Sequence, residues 1–159
     1  MTRVLFVCLG NICRSPTAQG VFEKLVAEAG WQDRIEVDSA GTHAYHAGEP
    51  PDERAQMEAA RRGVDLSGQR ARAIAETDFA EFDFILAMDS SNLAVLEARC
   101  PPEYRERVSR LLDFAADLDE DDVPDPYYGG QHGFSRVLDL VEAGAIGLME
   151  HLRERDRQQ

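Results

Sequence analysis

Cys8 and Arg14 stand six positions apart in "VLFVCLGNICRSPTAQ", residues 4–19. A cysteine thiolate is a strong nucleophile, and an arginine guanidinium is a planar fork that grips two oxygens of a tetrahedral oxyanion at once. Five residues separate them: Leu9, Gly10, Asn11, Ile12 and Cys13. Ser15 and Pro16 follow. A cysteine and an arginine at this spacing arise often by chance, so the weight rests on what surrounds them. The chemistry they would support together is attack by sulfur on an anionic centre whose charge the arginine holds.

The flanking residues supply a setting for that chemistry. Val4, Leu5, Phe6 and Val7 are apolar without alternation, which predicts a strand covered on both faces, with Cys8 at its carboxyl end. Beyond Pro16 the period changes: Ala18, Val21, Phe22, Leu25 and Val26 fall at helical spacing, which predicts a helix over 17–29 closed by Gly30. Leu9 to Arg14 is then a tight loop entering a helix at its positive end. Gly10 allows a close backbone path, and the converging N–H groups form an anion site whose field favours a thiolate on Cys8. "RIEVDSAG" (34–41) reads as a second strand ending near Ser39, "FDFILAMD" (82–89) as a central third, and "RVSRLLDF" (107–114) as a fourth. Helical patterns cover 52–62, 90–99 and 137–153. This alternation predicts a doubly wound, mostly parallel α/β sheet in one domain, residues 1–159, which binds its ligand outside the carboxyl ends of the strands.

Composition narrows the ligand. The 159 residues carry a net charge of −13, which opposes general binding to nucleic acid or to an anionic membrane, so any anion must be held by a local site. No apolar run approaches the roughly 20 residues of a membrane span, and a cytoplasmic protein is expected. The cysteines, Cys8, Cys13 and Cys100, match neither a disulfide framework nor a zinc set, and free thiols are expected. His43, His46, His132 and His151 form no metal-binding pair, so no metal and no cofactor are expected.

A second candidate lies far along the chain in "DLDEDDVPDPYY". The run Asp119 to Asp122 reads as a solvated charged loop. Asp125 differs because Pro126 restricts its backbone to extended geometry and two tyrosines, Tyr127 and Tyr128, follow. A placed carboxyl group beside aromatic rings suits protonation of a basic aryl leaving group. The tyrosines themselves read equally well as packing residues.

With these residues assembled, "VCLGNICRSP" resembles the nucleophile loop of the low-molecular-weight protein tyrosine phosphatases, and "DPYYGG" (125–130) resembles that family's general-acid loop. "DSAGT" (38–42) and "MDSSNL" (88–93) are similar to further stretches of the family, so the likeness runs over nearly the whole chain. It implies a four-stranded parallel sheet with helices on both faces and a phosphate-binding loop, Leu9 to Ser15, between the first strand and the first helix. It implies Cys8 as nucleophile, Arg14 as phosphate and transition-state binder, and Asp125 as general acid and then base. Asn11, Ser15 and Ser39 would support the loop, with Gln69 where the family commonly has a supporting histidine. Leu9, Tyr45, Tyr127 and Tyr128 would wall the substrate cleft, and a bulky apolar Leu9 favours phosphotyrosine over phosphoarginine. The implied partners are phosphotyrosine proteins and inorganic phosphate or another oxyanion, and the implied reaction is metal-free transfer through a phosphocysteine. Cys13 would either trap an oxidised Cys8 or simply pack. Two rivals are an arsenate reductase, which needs further relay cysteines, and a phosphotyrosine-binding module without turnover.

Overall fold

Four strands run parallel in the order β2–β1–β3–β4: β1 is Thr2–Cys8, β2 Ile35–Gly41, β3 Phe84–Ala87 and β4 Val108–Arg110. This computed structural model describes residues 1–127 and 130–158, with Gln131 described through its backbone; Tyr128, expected on the cleft wall, lies outside the described residues. The helices are α1 (Arg14–Glu28), α2 (Glu53–Arg61), α3 (Asp78–Glu81), α4 (Ser90–Arg99) and α5 (Gln131–Arg157).

The unbroken apolar run of β1 has the expected cause. Val4 and Phe6 face a core built with Ala18 and Phe22 of α1 and Val141 and Leu148 of α5, whereas Leu5 and Val7 face a second core with Phe79 of α3 and Leu96 of α4. Helices therefore cover both faces of the sheet. β1 and β3 are the inner strands, as expected of near-continuous apolar sequence.

Three elements depart most from the bounds expected, and β3 is shorter, Phe84–Ala87, than the 82–89 read from the sequence. The fourth strand stops at Arg110, where Asp113 Oδ2 accepts the Arg110 N–H at 3.0 Å and turns residues 111–114 into a 3-10 helix that buries Leu111 and Leu112. α1 begins at Arg14 rather than Thr17, so the arginine itself lies in the first turn. α5 begins at Gln131 rather than Val137 and runs on to Arg157. Gly133 and the lack of a side-chain cap hide that start, while Phe134, one turn before Val137, is buried. At the far face of α5, Gly147 packs against the 111–114 turn so closely that an added Cβ would lie 1.9 Å from the Phe114 carbonyl oxygen.

Candidate active site

Cys8 ends β1, and the chain then curls through Leu9–Cys13 into α1. The curl is tied on both sides. Thr42 and His43 donate backbone N–H groups to the Cys8 and Leu9 carbonyls at 2.9 and 3.1 Å, and Asp52 donates its N–H to the Ile12 carbonyl at 2.8 Å. No side chain caps α1 at Cys13, which leaves the positive end of the helix facing the loop.

Asn11 is the pivot of the loop. Its φ of 58° is the one left-handed conformation at a non-glycine among the described residues, and the side chain is satisfied at every polar position. Nδ2 donates to Ser15 Oγ at 2.8 Å and to Ser39 Oγ at 3.0 Å, while Oδ1 accepts the Arg72 N–H at 3.0 Å. Ser39 in turn donates to Gln19 Oε1 at 2.7 Å. Because Asn11 already donates to Ser15, the Ser15 hydroxyl proton can turn toward Cys8 Sγ, 3.0 Å away, or toward the Ala40 carbonyl at 3.5 Å, and the Ser15 N–H also approaches Sγ at 3.5 Å. A chain of oriented groups thus runs from β2 through Asn11 to the sulfur.

Arg14 is almost fully buried and held from the other side of the site. Its Nη1 donates to Asp89 Oδ2 at 2.6 Å and to the Val123 carbonyl at 2.9 Å, and Nη2 lies 3.8 Å from Asp125 Oδ2. Burial works against the guanidinium charge, but Cys8, Asp89 and Asp125 outweigh it and raise the Arg14 pKa above its ordinary value. The charge is therefore secure. Asp125 accepts the Tyr127 N–H on Oδ1 at 3.0 Å, so Oδ2 is the oxygen presented toward Arg14.

These groups line a cleft of about 350 Å³ that Cys8, Cys13 and Arg14 share with Leu9, Tyr45, His46, Asp125 and Tyr127. Leu9 and Tyr45 are exposed on its rim, where Tyr45 stacks on His43 with ring centroids 5.2 Å apart. Tyr127 stands 6.2 Å from the His46 ring, and Arg54 sits over it at 5.7 Å while donating to its carbonyl at 2.8 Å. Cys13 is buried at the same cleft; burial first, then the negative charge of Asp52, pushes its thiol up, so it stays protonated at neutral pH. Among the described residues no group of histidine, cysteine and carboxylate side chains could hold a metal ion.

Sequence models bear directly on this arrangement. The family described as low molecular weight phosphotyrosine protein phosphatase matches residues 3–158. The chain belongs to that family. The low molecular weight protein-tyrosine-phosphatase YfkJ of Bacillus subtilis is 42% identical over 154 residues, covering 97% of each chain. The low molecular weight phosphotyrosine protein phosphatase of Homo sapiens is 42% identical over 137 residues, covering 84% of this chain and 85% of that protein. The crystal structure of a protein tyrosine phosphatase from Entamoeba histolytica, with Hepes in its active site, superposes with a TM-score of 0.95 at 39% identity, over 98% of this chain and 99% of that one. The four-stranded parallel sheet with a cysteine–arginine loop after its first strand is thus the fold of this phosphatase family.

Within the phosphatase framework, the expected residues that the structure describes fall together with one correction. Gln69 does not reach Asn11: its Nε2 donates to the Pro16 carbonyl at 3.0 Å, and the bond to Asn11 comes from the backbone of Arg72, three residues on. The run 119–122 is a solvent-facing loop, as expected, tied down by two exposed pairs. Asp122 Oδ1 accepts from both the N–H and the hydroxyl of Ser90, at 3.0 and 2.8 Å, and Glu120 pairs with Arg136. Sequence reasoning missed Asp89, Arg72 and His46. Asp89 was legible as an N-cap, since Oδ1 accepts the Asn92 N–H at 2.7 Å, but nothing local announces its second bond to Arg14. His46 packs over Gly10, where an added Cβ would lie 2.9 Å from its ring, and only the folded chain brings the two together.

Proposed function

We propose that this phosphatase hydrolyses phosphotyrosine in proteins through a phosphocysteine on Cys8, with residues 1–159 acting as one domain. The observation that carries the reading is the convergence, in one cleft, of the Cys8 sulfur with its Ser15 donor, the buried Arg14 charge, and the Asp125 carboxyl 3.8 Å from that arginine. In the first step the Cys8 thiolate attacks phosphorus in line. The S–P bond forms as the aryl P–O bond breaks, and Asp125 gives its proton to the departing phenolate. The loop amides of Leu9–Ser15 hold the equatorial oxygens together with Nε and Nη2 of Arg14, since Nη1 is committed to Asp89 and Val123. In the second step Asp125, now ionised, takes a proton from water as the water oxygen attacks phosphorus and the thiolate leaves. Asn11, Ser15 and Ser39 hold the loop, whereas Gln69 braces the first turn of α1.

Leu9, Tyr45 and Tyr127 wall a slot suited to a flat aryl phosphate. The proposed substrates are phosphotyrosine proteins, with inorganic phosphate as the product ligand. No helix among the described residues is long and apolar enough to cross a membrane, and the three free cysteines suit the reducing cytoplasm that we assign to the protein. Cys100 lies in the core on the opposite face of the sheet from Cys8 and Cys13, which leaves a disulfide relay for arsenate reduction without a third thiol.

The test is phosphate release from a phosphotyrosine peptide in EDTA, beside a phosphoarginine substrate and arsenate with a thioredoxin system. Turnover confined to the phosphotyrosine arm, abolished in Cys8→Ser, supports the reading. Phosphate binding without release in the wild-type protein would overturn it in favour of a binding module.

A further inference from the structure

Asn11 is held at both ends of its amide by residues that meet in one ion cluster. Arg72 donates its Nε and Nη2 to Asp38 Oδ2 at 3.2 and 3.0 Å, and its Nη1 and Nη2 to the two oxygens of Asp78 at 2.9 and 3.2 Å. Asp78 is buried, with 6% of its side chain exposed, and also accepts the Ala75 N–H at 2.7 Å. The Arg72 carbonyl accepts the Gly41 N–H at 2.8 Å, and Gly41 accepts from Ile74 at the same distance, so this segment is stitched to the end of β2. Asp38 uses its other oxygen, Oδ1, to accept the Ser39 N–H at 2.8 Å.

The cluster therefore fixes two partners of Asn11 together. The Arg72 N–H reaches Asn11 Oδ1, and Ser39, tied to Asp38, accepts from Asn11 Nδ2. A left-handed backbone is disfavoured for a residue with a side chain unless its surroundings impose it, and these bonds are what impose it here. We infer that Arg72 is a positioning residue for the anion loop: its side chain, clamped between Asp38 and Asp78, holds the peptide N–H that keeps Asn11 left-handed and the loop closed around its anion. None of these three side chains lines the cleft. The inference rests on the phosphatase reading, which assigns that loop to phosphate.

A clamp of this kind sets the fraction of molecules whose loop is ready to bind. Its loss weakens every oxyanion by the same factor, while saturating substrate pulls the loop back to its closed form. Arg72→Met is expected to weaken inorganic phosphate, measured by calorimetry, by about tenfold, with kcat/KM falling alike and kcat much less affected, the size set by one lost hydrogen bond. Arg72→Lys, which keeps the charge, is expected to lie between. Asp38→Asn removes one exposed leg of the clamp and spares buried Asp78; it should show the same split at about threefold, and it keeps the test alive if Arg72→Met does not fold. In an Asn11→Ala background, Arg72→Met should add no further loss of phosphate affinity, because the bond it acts through is already gone. A lower Vmax with unchanged KM and phosphate affinity would mean a role in stability alone and would overturn the inference. So would an undiminished effect in the Asn11→Ala background. Failure of the wild-type protein to bind phosphate would instead overturn the phosphatase reading on which the inference stands.

Discussion

At the scale of single residues, the division of labour between Cys8, Arg14 and Asp125 makes separable predictions. Arg14→Lys keeps a charge but cannot hold Asp89, the Val123 carbonyl and an oxyanion in one plane, so kcat should fall by at least about 10²-fold. A change confined to KM, in steady-state assays, would make Arg14 a uniform binder. Asp125→Asn keeps the Asp-Pro backbone restriction and the acceptor for the Tyr127 N–H. Its loss in kcat/KM should be about 10²-fold for phosphotyrosine and smaller for an aryl ester whose phenolate is stable at neutral pH. Equal losses on both substrates would remove Asp125 from leaving-group protonation. Cys13 offers a third test. Its pKa lies above the ordinary thiol value, so it is protonated, and unreactive, until the pH has risen well beyond neutral. Iodoacetamide at pH 7 should therefore modify Cys8 and spare Cys13, with phosphate protecting Cys8; mass spectrometry of the alkylated peptides reads the outcome. The cysteine–arginine spacing was legible in the sequence because strand, loop and helix are contiguous there. Asp89 and Arg72 were not, since their bonds span 75 and 61 positions and no local pattern encodes them.

Elements carry double duties that their residues alone do not reveal. Asp89 caps α4 with one carboxylate oxygen and holds Arg14 with the other. Asp89→Asn has one carbonyl oxygen for two tasks, so it keeps the cap only by turning its NH2 against buried Arg14: kcat/KM should fall by about tenfold and stability by about 1 kcal/mol or more. Asp89→Ala, which loses the cap as well, should lose more stability than Asp89→Asn. Circular dichroism melts beside kinetics separate the two. At the other end of the sheet, α5 comes so near the 111–114 turn that Gly147→Ala must move backbone rather than a flexible side chain. A destabilisation of about 1–3 kcal/mol is expected, with activity per folded molecule unchanged. That contact explains why the fourth strand was read too long. "RVSRLLDF" has the apolar content of a strand, but Asp113 bends it and α5 claims Leu111 and Leu112. β1 and β3 were legible because their apolar runs report burial on both faces of the sheet, and β2 because Ile35 and Val37 alternate with polar residues before Gly41.

For the molecule as a whole, the net charge of −13 acts on substrates before any contact forms. A phosphotyrosine peptide flanked by lysine or arginine should show a higher kcat/KM than one flanked by glutamate or aspartate. The gap should narrow as ionic strength rises from about 0.01 to 0.15 M, where the screening length shortens to about 8 Å. A gap that ignores salt would point to local contacts instead. The strand order β2–β1–β3–β4 has a consequence for biosynthesis. The nucleophile is synthesised ahead of the groups that position it: its strand needs β3 as a neighbour, its loop needs Arg72, and its arginine needs Asp89 and the Val123 carbonyl. Pairings this distant form slowly and late. A nascent chain stalled before residue 123 therefore holds Cys8 without the Val123 carbonyl and Asp125: an inert thiol, silent until the segment that carries them has left the exit tunnel.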